Sequence, residues 1–346
     1  MTKKFDVVIG NPPYQEESKG DSTNQMPIYH HFIEAAYEVG EKAVLITPAR
    51  FLFDAGYTPK AWNKKMLSDP HLSAPIYAPN SDKLFPGTDI KGGVVVTLRD
   101  PSQASGPIGT FTKHPELNDI LHKVTVSGAA SISQLGISND RVYRYTQEMH
   151  DALPHLQALM SDNNQFKLDS RAFSRLSEVF FEQKPNDGAE YLRVLGLDDK
   201  KKRVTRWILS DYISGPEALH EFKVALPKAS GSGSFGETLA APEILEPAVA
   251  VTGTFITIGA FPTHEQAQAC AKYIKSKFAR ALLGVLKVTQ DNLARVWRYV
   301  PLQDFSANSD IDWAKSVADI DQQLYAKYQL TAEDIDFIEM HVKPMT

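Results

Sequence analysis

The most constraining feature of this sequence is a short apolar run that ends in a stiff turn. Phe5 to Ile9 reads FDVVI, Gly10 follows, and Asn11-Pro12-Pro13-Tyr14 comes next. A run this short and apolar, bounded by glycine and proline, reads as a buried strand. Pro12 and Pro13 fix φ and carry no N–H donors, so the turn is rigid and cannot extend a ladder or a helix interior. Asn11 and Tyr14 are therefore carried at the tip of a strand. Open α/β sheets place their ligands there, beyond the carboxyl ends of the strands.

The next residues alternate helix and strand. Ile28 to Val39 has helical spacing, with Ile28, Phe32, Ala35, Ala36 and Val39 on one side. Ala43 to Thr47 is a second apolar strand stopped by Pro48. Thr58-Pro59 opens a helix, with threonine as N-cap and proline at the first helical position. Pro75 to Ala78 and Gly93 to Leu98 are further strands. Apolar strands between helices predict a sheet covered on both faces. Arg99 to Pro107 is polar and rich in Pro, Ser and Gly, and reads as a linker. We therefore divide the chain into residues 1–105 and 106–346. In the second part, helical stretches are expected near 115–124, 147–161, 263–287 and 313–328, with a Thr331-capped helix after them. Strands are expected at Tyr191–Leu195, Phe222–Leu226 and Thr254–Ile258, and a flexible segment at Ala229–Gly236.

Composition excludes several classes. No apolar run approaches the roughly 18 residues of a membrane span. The N-terminus has an acid, Asp6, where a signal peptide needs an apolar core. Cys270 is the only cysteine, so disulfides and cysteine-rich zinc sites within the chain are excluded. A cytoplasmic location is the simplest reading. The formal charge of −5 neither advertises nor excludes nucleic-acid binding, because a local basic patch is enough.

The residue types of the turn fit one chemistry. The exocyclic amine of adenine has its lone pair delocalised into the ring. Acceptors that hold the amine protons let nitrogen move toward tetrahedral geometry and attack. An asparagine side-chain oxygen and a backbone carbonyl supply two acceptors, and the following aromatic ring stacks on a base swung out of the duplex. The plainer reading is a Pro-rich turn with a packing tyrosine. A WW-domain ligand is ruled out, since Pro-Pro-x-Tyr spacing would need tyrosine where Gln15 stands.

FDVVIGNPPYQ, LITPARFLFDAG and LFPGTDIKGGVVVTLRD resemble the adenine-specific methylases of restriction–modification systems, and within them the Eco57I-type group of the gamma class. LPKASGSGSFGETL, TFITIGAF, YIKSKFARALLGVLKVTQDN, YVPLQDF and IDQQLYAKY resemble the target-recognition half of the same enzymes. The resemblance implies an α/β fold: a partial Rossmann-like methyltransferase sheet, the C-terminal half of a catalytic domain, followed by an α+β target-recognition domain. It implies that Asn11 and the Pro12 carbonyl accept from adenine N6, that Pro13 stiffens the turn, and that Tyr14 stacks on the flipped base. Phe85 is the candidate for a second ring against the base, or else a core phenylalanine. Arg50 and Phe51 line the pocket rim or serve structure. The cofactor implied is S-adenosyl-L-methionine, and the partner is double-stranded DNA.

Basic residues give DNA-binding candidates. Lys200-Lys201-Lys202-Arg203, with Arg206 nearby, is the densest run, and is either a phosphate contact or a solvated turn. Lys272, Lys275, Lys277, Arg280 and Lys287 lie off the apolar arc of the 263–287 helix, and either follow the DNA backbone or are simply exposed. Lys228 adjoins the serine-rich segment, whose Ser230, Ser232 and Ser234 offer hydroxyls. His30-His31 lacks further ligands at metal spacing, and Asp198-Asp199-Lys200 lacks nuclease spacing.

Only ten residues precede Asn11, so the strands that hold the cofactor in complete enzymes are expected from an upstream domain or a second subunit. Gly231-Ser232-Gly233-Ser234-Phe235-Gly236 matches G-x-G-x-x-G literally, but Pro242 leaves little room for the helix that fingerprint needs. Three accounts follow: a truncated or split methylase, a fragment of a longer protein, or a non-catalytic DNA-recognition subunit with an idle motif. A nuclease-bearing restriction protein would need a further domain. The chain by itself is expected to bind S-adenosylmethionine weakly or not at all; micromolar binding by calorimetry would contradict this.

Overall fold

The computed structural model describes all residues except 1–2, 17–25, 55–56, 89, 91, 105, 113, 140, 161–163 and 346. The chain divides into two compact units, Met1–Asn118 and Asp119–Thr346. The segment after the polar linker stays with the first unit because Ile108 and Phe111 pack on its core.

In the first unit, β1 (Phe5–Gly10), α1 (Tyr29–Val39), β2 (Gly40–Pro48), α2 (Lys60–Leu67), β3 (Leu72–Ala78) and β4 (Val94–Arg99) follow in order. The four strands form one sheet in the order β1-β2-β4-β3. β1 and β2 run parallel, joined by α1, as a parallel pair requires a crossover. β4 runs antiparallel to both β2 and β3. Tyr29, Ile33, Ala43, Leu45, Phe51, Trp62, Met66 and Val95 make the core on one face of the sheet. The expected cover on both faces is not met. Ile9 pairs with Val44 and Val44 with Leu98, while Ile46 pairs with Val96 and Val96 with Ile76, so these residues share the opposite face. On that face Ile9 is 78% exposed and Ile76 53% exposed, because α1 and α2 both contribute to the other side. The N-cap of α2 also differs from expectation. Pro59 occupies the cap position, and the buried Thr58 hydroxyl donates instead to Asn63 Oδ1 at 2.7 Å.

α3 (Pro115–Val126) crosses the boundary between the units. The second unit is a mixed arrangement of small sheets and helices. β5 (Arg144–Tyr145) is followed by α4 (Gln147–Ala152), which ends before Pro154 and gives way to a 3-10 turn at Pro154–Leu159 rather than one long helix. Next come α5 (Ala172–Arg175), β6 (Tyr191–Leu197), β7 (Arg203–Leu209), β8 (Ile213–Ser214), β9 (Phe222–Pro227), β10 (Glu243–Leu245), β11 (Val249–Val251) and β12 (Phe255–Phe261). They build the sheets β11-β6-β7, β10-β9-β12 and β5-β8. Leu192, Val194, Ile208, Val249 and Phe255 join one core.

α6 (His264–Lys275), α7 (Lys277–Leu283), α8 (Val317–Lys327) and α9 (Ala332–His341) complete the unit. The single helix expected over 263–287 breaks at Ser276, which takes an extended backbone with ψ of 147°. Periodicity does not reveal the break, since Ala271, Ile274, Phe278, Ala281 and Leu282 all remain buried. Two acceptors stabilise it. Ser276 Oγ accepts from Ala279 N at 3.1 Å, and the buried Asp321 carboxylate of α8 accepts from Lys277 N and Phe278 N at 3.0 and 2.9 Å. α9 has the threonine cap read from sequence, completed as a capping box by Asp334.

Burial pushes the Asp321 carboxyl up to about 6, against the two backbone N–H bonds that favour its charged form. The folded value lies above the unfolded one, so this group adds stability as pH falls from about 6 toward 4. Urea midpoints of the wild type and Asp321→Asn, compared at pH 7 and pH 5, are expected to shift relative to each other in favour of the wild type at the lower pH. A constant difference would contradict this.

Candidate functional site

β1 ends at Gly10, whose partner is Leu45 on the parallel β2. β2 ends at Pro48, opposite Val94 at the start of β4, and Val94 lies opposite Ala78 at the end of β3. Three segments therefore leave the same end of the sheet: Asn11–Tyr14, the 3-10 turn Ala49–Phe53, and the turn between β3 and β4 that carries Phe85.

The Asn11–Tyr14 segment is fixed at both ends. Behind it is the ladder of β1. Ahead of it, Tyr14 O accepts from Ile28 N at 3.2 Å, Gln15 bridges Pro27, and Glu16 N donates to Met26 O at 3.0 Å. Asn11 and Pro13 are exposed, and Pro12 and Tyr14 are half-buried. Burial raises the Tyr14 hydroxyl pKa, and the Asn11 side chain beside it partly offsets this. By donor–acceptor geometry Tyr14 Oη has no hydrogen-bond partner among the described residues. The tyrosine is therefore placed by its backbone.

Phe85 is half-buried in a locked turn. Its N–H donates to Ser81 O at 2.8 Å, and its carbonyl accepts from the Thr88 hydroxyl at 2.7 Å. Ser81 Oγ donates to Thr88 O and accepts from Ile90 N, at 2.9 and 2.8 Å. Phe85 is not one of the core aromatics, whereas Phe51 is: it is fully buried with its ring 5.2 Å from Trp62. Arg50 is half-buried beside it. His30 packs against Trp62 at 5.5 Å and against the exposed His31 ring at 3.9 Å. No group of three metal-binding side chains occurs among the described residues.

In the second unit, Lys200, Lys201 and Lys202 are exposed at the tip of the β6–β7 hairpin. Asp198 Oδ1 holds this tip by accepting from Lys200 N and Lys202 N at 3.0 and 2.8 Å. Other cations have intramolecular partners. Arg203 donates to Ala241 O at 3.0 Å and lies over the Phe255 ring, and Arg206 pairs with Glu182 at 2.8 Å. Lys272 Nζ donates to the carbonyls of Trp313 and Lys315 at 2.7 and 2.9 Å, and Lys277 pairs with Glu339. Arg280 and Lys287 are buried, which rules out the exposed face expected of them. Lys228 is half-buried at the end of β9, and Lys275 closes α6.

The 229–236 segment is not a loose loop. Glu237 Oε2 accepts from Ser232 N and Ser232 Oγ at 2.7 and 2.9 Å, and Oε1 accepts from Gly233 N at 2.8 Å and Lys287 Nζ at 3.0 Å. Burial by itself would raise this carboxyl, but these donors outweigh it and hold it at about 2. The glycines answer to this packing. A Cβ on Gly233 would sit 2.4 Å from Thr289 N, and one on Gly236 would sit 2.0 Å from His341 O; both have positive φ. No helix follows the last glycine, and the converging amides are occupied by the chain's own carboxylate. These residues do not fit the phosphate or cofactor cradle that a G-x-G-x-x-G match suggests. Glu237 and Lys287 as a pair escape sequence reading, because fifty residues and a helix break separate them.

Residues 1–85 match the family model of the Eco57I restriction-modification methylase. The matched stretch contains Asn11–Tyr14 and ends at Phe85. Among solved structures, the chain is similar to the type IIG restriction endonuclease BpuSI, at 11% identity and a TM-score of 0.34, covering 94% of this chain and 49% of that one. It is also similar to the type IIL restriction-modification enzyme MmeI, solved in complex with DNA, at 12% identity and a TM-score of 0.35, covering 98% of this chain and 55% of that one. The chain thus spans about half the length of each. No curated protein matches it. No helix among the described residues is long and apolar enough to cross a membrane.

Lys287→Met removes the cation of this largely buried ion pair and the donor to Ser230 O and Thr289 O, and is expected to lower unfolding free energy by about 3–5 kcal/mol. The same change at exposed Lys200 is expected to stay within about 0.5 kcal/mol. Urea titration of both variants checks the contrast.

Proposed function

We propose that this chain carries the adenine-binding part of a DNA adenine-N6 methyltransferase of a restriction–modification system, in residues 1–118, and a double-stranded-DNA recognition part in residues 119–346. The observation that carries the reading is the Asn11–Tyr14 segment, held at the carboxyl end of β1 with Asn11 exposed and Tyr14 half-buried. The match of residues 1–85 to a methylase family supports it.

The chemistry assigned to these residues is limited and specific. Asn11 Oδ1 and the Pro12 carbonyl accept the two N–H bonds of adenine N6, which localises the nitrogen lone pair. Pro13 keeps competing N–H donors out of the turn. Tyr14 stacks on the flipped base, with Phe85 as a second ring from the turn that leaves the same end of the sheet. The methyl donor is S-adenosyl-L-methionine, bound by a further region or a partner polypeptide. The glycine-rich segment at 231–236 is not assigned to it, since Glu237 fills that turn.

In an assembly that binds the donor, Asn11→Ala is expected to lower methyl transfer by about a hundredfold or more, as loss of one preorganised polar contact does elsewhere. DNA affinity should be retained. Tyr14→Ala should cost about 1–3 kcal/mol of base stacking, read by the fluorescence of 2-aminopurine at the target position. Tyr14→Phe should change little, because Tyr14 Oη has no hydrogen-bond partner among the described residues. Full transfer by Asn11→Ala would reject the adenine role and favour a recognition subunit with an idle motif.

A further inference from the structure

Two segments distant in sequence, 227–237 and 287–292, are laced into one surface of the second unit. Lys287 Nζ donates to Ser230 O, Thr289 O and Glu237 Oε1, at 2.9, 3.0 and 3.0 Å. Ser230 N donates to Gln290 O at 2.8 Å, and Ala229 bridges Asp291. Asn292 is fully buried; its Nδ2 donates to Pro227 O and Ser230 Oγ, both at 2.9 Å, and its N–H donates to Lys228 O at 2.8 Å. The result is a rigid two-loop platform. Ser232, Ser234, Val288, Thr289 and Gln290 are exposed on it, and Val288 is 67% exposed.

A buried ion pair is a costly way to order an exposed loop, and apolar packing would often do as well. What the pair secures is a fixed backbone. Its chemistry also limits what the platform can bind. The amides of Ser232 and Gly233 and the ammonium of Lys287 are all directed at Glu237, so the platform is not a phosphate cradle. Apart from Asp291, which pairs with the exposed Arg295 at 3.7 Å, what remains exposed is neutral: hydroxyls, a carboxamide and an isopropyl group. These suit base edges better than phosphates. A glutamine can bind adenine N6 and N7 together, serine and threonine serve any edge, and an aliphatic group meets the thymine methyl.

We propose that this platform reads base edges of the target duplex, with Ser234, Val288, Thr289 and Gln290 as specificity-determining residues and Glu237–Lys287 as the pair that positions them. This rests on the DNA-recognition reading of residues 119–346. It implies a division of labour with the lysines of the β6–β7 hairpin, which act on phosphates and carry no sequence information.

The test is selection by the full chain from a randomised duplex pool, followed by affinities for the selected and a scrambled duplex over a range of salt. Gln290→Ala and Thr289→Ala should each lose at least about fivefold affinity for the selected duplex and none for the scrambled one, with an unchanged salt slope. Glu237→Gln should broaden the selected sequence. Replacing Lys200, Lys201 and Lys202 together with Ala should weaken both duplexes alike and flatten the slope. The four platform positions are exposed, so their Ala variants keep the test open should Glu237→Gln fail to fold. If those four variants select the same sequence with wild-type affinity, the inference is overturned. A wild-type chain that binds every duplex alike overturns it while leaving DNA binding in place. A chain that binds no duplex at low salt removes the DNA-recognition reading itself, and the platform with it.

Discussion

The parallel pairing of β1 with β2 governs the first unit. Two parallel neighbours end on the same side of a sheet, so Gly10 and Pro48 deliver their following segments to one edge. Antiparallel β4 then brings the turn that holds Phe85 to that edge as well. A one-residue slip of β1 would move Val8 out of the core and re-aim Asn11. The pairing is reinforced locally by α1, whose Ile33 and Ala36 are buried in the same core as Ala43 and Leu45. Site geometry is thus a consequence of strand direction, with the two prolines keeping the turn from relaxing into a ladder.

The second unit depends on buried charge rather than on one continuous sheet. Asp321 joins the Ser276 hydroxyl in capping α7, and Lys287 with Glu237 fixes a glycine-rich turn. Several cations that would count toward a basic surface are spent inside: Arg280 on the carbonyls of Lys275 and Glu237, Lys272 on those of Trp313 and Lys315. The hairpin lysines Lys200, Lys201 and Lys202 stay exposed, and a local group of this kind is compatible with the proposed DNA contact despite the net charge of −5.

The strands and helices of the first unit were legible because their apolar runs are short, unambiguous and punctuated by Gly10, Pro48 and the prolines of the motif. The placement of Asn11 and Tyr14 beyond the end of β1 was legible because Gly10 and the two prolines stop the strand there. Three things were not. The uncovered face of Ile9 and Ile76 reads the same as a covered one, since apolar alternation does not say what lies opposite. The break at Ser276 is silent in the periodicity and is stabilised by the Ser276 hydroxyl together with Asp321, forty-five residues on. The glycine spacing at 231–236 matched a fingerprint for a different physical reason, close backbone approach around a carboxylate. Lys287 illustrates the common cause: a lysine off an apolar arc looks solvated unless its partner is known.

In the proposed function, Asn11–Tyr14 hold the amine of adenine. The most direct measurement is nucleoside mass spectrometry of DNA methylated by the donor-competent assembly. N6-methyladenine is the expected product. A methyl group on cytosine, at N4 or C5, would contradict it.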